Sequence, residues 1–200
     1  MSHAVHRSKD AGVPEVVPYI EVLARTGSGK IGERQLIAGL DEIFFEASSV
    51  KSFSGDVERA AFRERWLGRY LSRDPQLAFI ALDGGKEVAG YIVGSLEDPA
   101  ASAGFSGIWY FRQFAALTQR YPAHLHINLA PRYRNRGLGG ALIARFVAEV
   151  RAAGAPGVHV VTGEGARNIG FYGRNGFHQA GRAQQGAARV VFLARDLLGN

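Results

Sequence analysis

Between His124 and Ile143 the chain reads HLHINLAPRYRNRGLGGALI, and this stretch holds the residues best suited to chemistry. Arg134, Asn135, Arg136, Gly137, Leu138, Gly139 and Gly140 lead into an apolar run with helical period. Free backbone N–H groups at a helix start, the positive end of its dipole and flanking guanidinium groups favour an anion, above all a phosphate. The plainer alternative is an ordinary turn whose glycines only permit tight packing. Ahead of the turn, His124, His126 and Asn128 alternate with Leu125, Ile127 and Leu129, so a strand here shows polar groups on one face and apolar groups on the other. Pro131 ends it. Histidine, with an ordinary pKa of about 6.5, suits proton movement at neutral pH. Asparagine takes no proton there and only positions or polarises. Two histidines at a spacing of two also suggest a metal site, but a third ligand is missing and no metal is expected.

A strand so placed needs a sheet around it and helices to cover it. Val17 to Leu23 reads as a first strand. The following ARTGSGKIGE fails as a Walker loop, because Ala24 stands where its first glycine belongs and Ile31 where a Ser or Thr would hold magnesium. It reads as a loop whose Lys30 is free to touch a ligand. Leu36, Leu40, Ile43 and Ala47 mark an amphipathic helix. A second helix starts with Asp56 as its cap and carries Phe62, Trp66 and Tyr70 as a core stripe. Gln76–Leu82 and Glu87–Leu96 form a hairpin around Asp83-Gly84-Gly85-Lys86. An insert crowded with Trp109, Tyr110, Phe111, Phe114 and Tyr121 covers the sheet, a cleft or a subunit contact. After the central strand, a helix with Leu138, Leu142, Phe146 and Val150 on one stripe runs to Ala153. Val158–Thr162 is a strand, Ala166–Arg174 a short helix, and Phe177–Gly181 with Arg189–Ala194 an antiparallel pair. The order indicates an α/β (α+β) fold, a mixed sheet flanked by helices.

The 200 residues, 46% of them hydrophobic, suit one domain over residues 17–200, with residues 1–16 as a disordered tail. No apolar run approaches the roughly 18 residues of a membrane span, so no membrane partner is expected. The absence of cysteine excludes disulfides and thiolate chemistry, and a cytoplasmic setting is the default. A net charge of +6 would allow nucleic acid, but arginines such as Arg59, Arg63, Arg65, Arg69 and Arg73 are spread along the chain, and no nucleic-acid partner is expected. A polyanionic, nucleotide-like cofactor accounts better for Arg132, Arg134 and Arg136 beside glycines.

Arg134-Asn135-Arg136-Gly137-Leu138-Gly139 fits the Q/R-x-x-G-x-G/A signature, and Asn168-Ile169-Gly170-Phe171-Tyr172-Gly173-Arg174-Asn175-Gly176-Phe177 fits a second segment, of the GNAT superfamily of N-acetyltransferases. The chain resembles that superfamily over residues 17–196. More loosely it is similar to bacterial relatives of the acetyltransferase-like domain found with O-GlcNAc hydrolases, where an acid is expected in place of Asn128. The resemblance implies a mostly antiparallel sheet of about seven strands, with a bulged fourth strand splaying from the fifth. It also implies acetyl-CoA as acyl donor and an amine as acceptor.

By the same resemblance, main-chain N–H groups from Arg136 to Gly140 hold the pyrophosphate. Gly137 and Gly139 keep the approach clear of Cβ atoms. Main chain of Ile127 and Leu129, with Asn128 between them, lines the pantetheine arm; Asn168 bonds to that arm and Phe171 packs on it. Tyr172 is the implied general acid for the departing thiolate. For the base that deprotonates the amine, His126 is chosen from His124, His126, Asn128 and Glu164, and a strand N–H near Leu129 serves the oxyanion. A competing class is an acyl-CoA-binding regulatory module with little chemistry. The acceptor is not encoded, and the aromatic insert leaves a homodimer open.

Overall fold

The computed structural model of the chain describes residues 14–25 and 31–198; residues 1–13 of the expected tail and the loop carrying Lys30 lie outside the described residues. In chain order the elements are β1 (Glu15–Pro18), α1 (Tyr19–Arg25), α2 (Glu33–Ala47), α3 (Asp56–Arg63), a π turn (Glu64–Gly68), α4 (Arg69–Arg73), β2 (Phe79–Asp83), β3 (Glu87–Ser95), α5 (Trp109–Gln113), α6 (Ala115–Arg120), β4 (Ala123–Leu129), α7 (Leu138–Ala152), β5 (Gly157–Gly163), α8 (Asn168–Arg174), β6 (His178–Gln185) and β7 (Ala188–Asp196). The seven strands form one sheet in the order β1-β2-β3-β4-β5-β7-β6. All neighbours are antiparallel except the parallel β4–β5 pair.

Strand alternation builds a core on each face. Ile92 and Leu125 face Leu142 and Phe146 of α7. Tyr91 and Val93 face Leu36 and Leu40 of α2 and Tyr70 of α4. A third cluster joins Phe114 and Tyr121 of the insert to Phe192 of β7, so the insert is a cover on the sheet. Helix α7 forms because Leu138, Leu142, Phe146 and Val150 recur at one-turn spacing, and all four are buried. Gly94 on β3 lets this helix settle: a Cβ there would strike both the His124 carbonyl and the Phe146 ring. No helix among the described residues is long and apolar enough to cross a membrane.

Several local expectations are corrected. The first strand is Glu15–Pro18, not Val17–Leu23; Glu15 and Val16, expected in the tail, pair with Leu82 and Ala81. Tyr19 and Val22 are buried one turn apart on a helix instead. Phe44, not Ala47, completes the buried face of α2. Asp56 is inside α3 and caps nothing; Glu58 accepts from the N and Oγ of Ser54 at 2.6 and 2.7 Å, closing the helix start. Phe62, Trp66 and Tyr70 pack in one core cluster as expected, but only Tyr70 is fully buried, while Phe62 and Trp66 stay partly exposed. Finally, β4 keeps unbroken register with β3 from Ser95–His124 to Gly90–Leu129, so the expected bulge in the fourth strand is not there.

Candidate functional site

β4 and β5 pair only at Ala123–Val158 and His124–His159. Past that point they part. β5 goes on pairing with β7 as far as Gly163–Val190, while the β5-facing edge of β4 from Leu125 to Leu129 has no strand beside it. The sheet is thus split from its middle to one end, with main-chain donors and acceptors of β4 along the split.

The turn after β4 bends around the mouth of this split. Arg134 Nε donates to the Leu129 carbonyl at 3.1 Å and ties the turn to the strand end. Asn135 and Gly137 adopt left-handed backbone, at φ 59° and 80°, just before α7. Such alternation turns successive N–H groups inward as an anion nest, which the dipole of the fifteen-residue helix reinforces. No atom lies within 4 Å of a Cβ built on Gly137, so the space outside the nest is open. The nest, its exposed Arg134 and Arg136, and the free β4 edge fit a diphosphate with an amide-bearing arm. Gly139 has a different reason from the one expected. A Cβ on it would come within 3.0 Å of Phe171 and 3.3 Å of Leu129, so its bareness serves packing, as that of Gly140 does beside Asn175.

Helix α8 closes on the same sheet face. Phe171 rests against Gly139, and Tyr172 is 4% exposed with its ring 5.2 Å from Phe171 and 5.7 Å from Phe177. Burial pushes the Tyr172 phenol above its ordinary range, so the hydroxyl stays protonated and is a donor. Asn168 opens α8 at the surface, where its Oδ1 accepts from Thr162 Oγ1 at 3.0 Å.

His124, His126 and Asn128 point to the opposite face. Tyr70 Oη lies 3.1 Å from His126 Nε2, and the Trp66 ring meets His126 edge-on at 5.4 Å. His126 as a residue is partly exposed, and protein packs densely around it. His124 lies 4.8 Å from Phe105 and 5.5 Å from His159, which donates from Nδ1 to the Tyr121 carbonyl and stacks on Phe192. Burial first, and then the neighbouring His124 and Arg69 charges, pull His126 down to about 3. Burial likewise pulls His124 and His159 to about 3. All three rings are neutral at physiological pH. Asn128 Nδ2 donates to Tyr91 Oη at 2.8 Å, and a half-buried Arg63–Asp41 pair at 2.6 Å stands close to that phenol. Glu164 is drawn away from the split by Arg182 and Arg189, at 3.3 and 3.9 Å.

The sequence pattern of the Acetyltransferase (GNAT) family matches residues 40–177, well over half of the chain. The chain belongs to the GNAT acetyltransferase family. Solved structures share the GNAT fold at low identity. SsHAT is 23% identical over 94% of this chain and 100% of its own, with a TM-score of 0.68. Naa20 of Chaetomium thermophilum, in complex with a bisubstrate analogue, is 18% identical over 82% of each chain, at 0.55. yncA of Salmonella typhimurium, with its cofactor acetyl-CoA, is 17% identical over 93% of this chain and 95% of its own, at 0.53.

In this GNAT chain Ile127–Leu129 line the split and Arg134–Gly140 follow at its end, while Phe171 packs against Gly139, Tyr172 lies in the core cluster beneath, Asn168 is at the surface beside β5 and His126 is across the sheet. Sequence reasoning missed Trp66, Arg69, Tyr70 and Tyr91. Helical spacing made Trp66 and Tyr70 look like plain core, and Arg69 looked like one solvated arginine among many. The available signal was the repeat Arg65, Arg69, Arg73 at four-residue spacing beside the aromatic stripe.

Proposed function

We propose that this GNAT acetyltransferase transfers the acetyl group of acetyl-CoA to a primary amine of a small molecule or protein, by direct attack. The observation that supports this reading is the nest before α7 at the open end of the free β4 edge, with Tyr172 in the core cluster on which Ile127, Leu129 and Phe171 pack. Acetyl-CoA supplies an activated thioester. Main-chain N–H groups from Arg136 to Gly140 hold its diphosphate, and Arg134, Asn135 and Leu138 complete the cradle. Main chain of Ile127, Asn128 and Leu129 pairs with the pantetheine amides, while Asn168 and Phe171 fix the arm from α8. The amine nitrogen forms its bond to the carbonyl carbon as the C–S bond breaks. Tyr172 gives its proton to the departing sulfur, and a strand N–H near Leu129 donates to the carbonyl oxygen.

The acceptor side departs from the expected base at His126. A ring held near 3 is poorly matched to an amine proton at neutral pH. In this reading the amine arrives deprotonated and later releases its second proton to water, and water returns a proton to Tyr172. His126 with Tyr70 then orients it, and Asn128, anchored by Tyr91, offers Oδ1 to an amine N–H. A cytoplasmic setting, where acetyl-CoA is available, goes with the reading. The looser similarity to the domain found with O-GlcNAc hydrolases adds no acceptor to it.

Thiol release from acetyl-CoA with a panel of primary amines tests the proposal. Amine-dependent release is expected, and Tyr172→Phe should lower kcat by about 10²-fold or more while leaving acetyl-CoA affinity within about threefold. Normal turnover by that variant would remove the acid role. Binding of acetyl-CoA without release for any amine would leave only the regulatory-module alternative, and no binding at all would end both.

A further inference from the structure

Arg65, Arg69 and Arg73 stand four residues apart along the π turn and α4, and so share one flank of the helix. The segment 102–108 lies over that flank. A Cβ on Gly107 would be 3.9 Å from Arg65 Nη2, and one on Gly104 3.2 Å from Arg73 Nη1. Between them the Arg69 guanidinium carbon sits 4.6 Å from the centroid of the Phe105 ring. What sets Arg69 apart is the state of its nitrogens. Nε and Nη1 are both buried, and neither has a hydrogen-bond partner among the described residues. No ion pair among the described residues includes it.

The Phe105 ring under it lies 4.8 Å from His124 and 6.1 Å from Tyr70, so the guanidinium stands on the face of the sheet that carries His124 and His126. Those imidazoles are neutral and offer no countercharge. Removing N–H groups of a cation from water without partners is costly, and an aromatic face offsets only part of that cost. Of the acids near this face, Asp41 is paired with Arg63 and Glu164 with Arg182 and Arg189, while Asp74, whose N–H donates to the Tyr70 carbonyl, is in no ion pair among the described residues. An acceptor with an anionic group would find Arg69, whose buried N–H groups have no partner among the described residues.

We propose that Arg69 anchors an anionic group of the acceptor, and that the amine acetylated by this enzyme carries a carboxylate. The inference rests on the acetyl-transfer reading and names its substrate class. A guanidinium donates to a carboxylate through charge-assisted bonds of fixed direction, so it selects for charge and for distance from the amine together.

Matched acceptors test this: ω-amino acids from glycine to 6-aminohexanoate, each against its carboxamide, assayed by thiol release. The wild type should favour the acid over the amide in kcat/KM by about tenfold or more at one or more spacer lengths. Arg69→Gln should bring that ratio close to one, with Arg69→Lys in between. Acetyl-CoA titration of each variant reports whether the fold is retained; if Arg69→Gln does not fold, the wild-type ratio and the Lys variant decide. Amides reacting as well as acids, or Arg69→Gln keeping the preference, would overturn the assignment while acetyl transfer stands. Acetyl-CoA binding with no amine of either kind reacting would sink the transfer reading, and this inference with it.

Discussion

Mild acid should destabilise this protein well before its carboxylates titrate. His124, His126 and His159 are each held near 3 in the fold, against about 6.5 in an unfolded chain. Unfolding therefore takes up protons that the folded state refuses. The stability is fully present above about pH 6.5 and is lost as pH falls from there toward 3. Each histidine removes about 1.4 kcal/mol per pH unit once the solution is below its unfolded value. Three together remove about 4 kcal/mol between pH 7 and 5.5, and about 4 more by pH 4.5. Against a usual total of about 5–15 kcal/mol, a stability at the low end of that range is exhausted near pH 5 and a higher one below it. His124 and His159, at 2% and 1% exposed, leave solvent little room to screen the effect. Urea unfolding followed by the fluorescence of Trp66 and Trp109, repeated at half-unit steps from pH 7.5 to 5, measures it. The slope should correspond to uptake of about three protons, and His159→Gln should lower it by about one. A stability that stays flat down to pH 5.5, or a slope of one proton or less, would show that the rings protonate without unfolding.

Two further outcomes are expected. Gly137→Ala forces a side chain into left-handed backbone at φ 80°, which costs about 1–2 kcal/mol and turns the nest N–H groups away; acetyl-CoA affinity by calorimetry should fall about tenfold, and an unchanged affinity would detach the diphosphate from this turn. The pH profile of kcat/KM should show no rising limb between pH 6 and 7 that His126→Gln abolishes, because that ring is already neutral throughout; such a limb would restore His126 as the base.

The donor side was legible in the sequence because it depends on local backbone. Glycines at a strand-to-helix turn need only their neighbours to make a nest, and Gly137 at positive φ is such a case. Even there the reason for Gly139 was invisible, since Phe171 reaches it from thirty-odd residues away. The sheet followed from alternation, yet β1 starts two residues earlier than expected and ends at Pro18, because Tyr19 and Val22 are apolar enough for either strand or helix. The acceptor side was opaque for a physical reason. Its residues come from the π turn, α4, the insert and β4, and their roles arise from burial that no single stretch encodes. His126 looked like a base at its ordinary pKa; only the enclosing Tyr70, Trp66 and Arg69 change what it can do.

Two rungs hold β4 to β5, and the second joins His124 to His159, with rings 5.5 Å apart. That rung is the apex from which the wedge opens, so two uncharged imidazoles act as a hinge pin between the halves of the sheet. Charging both would set like charges across the pin and prise the wedge wider at its root. The grip on acetyl-CoA and the coherence of the sheet hang on the same pin, and in acid they should fail together, over the same span of pH.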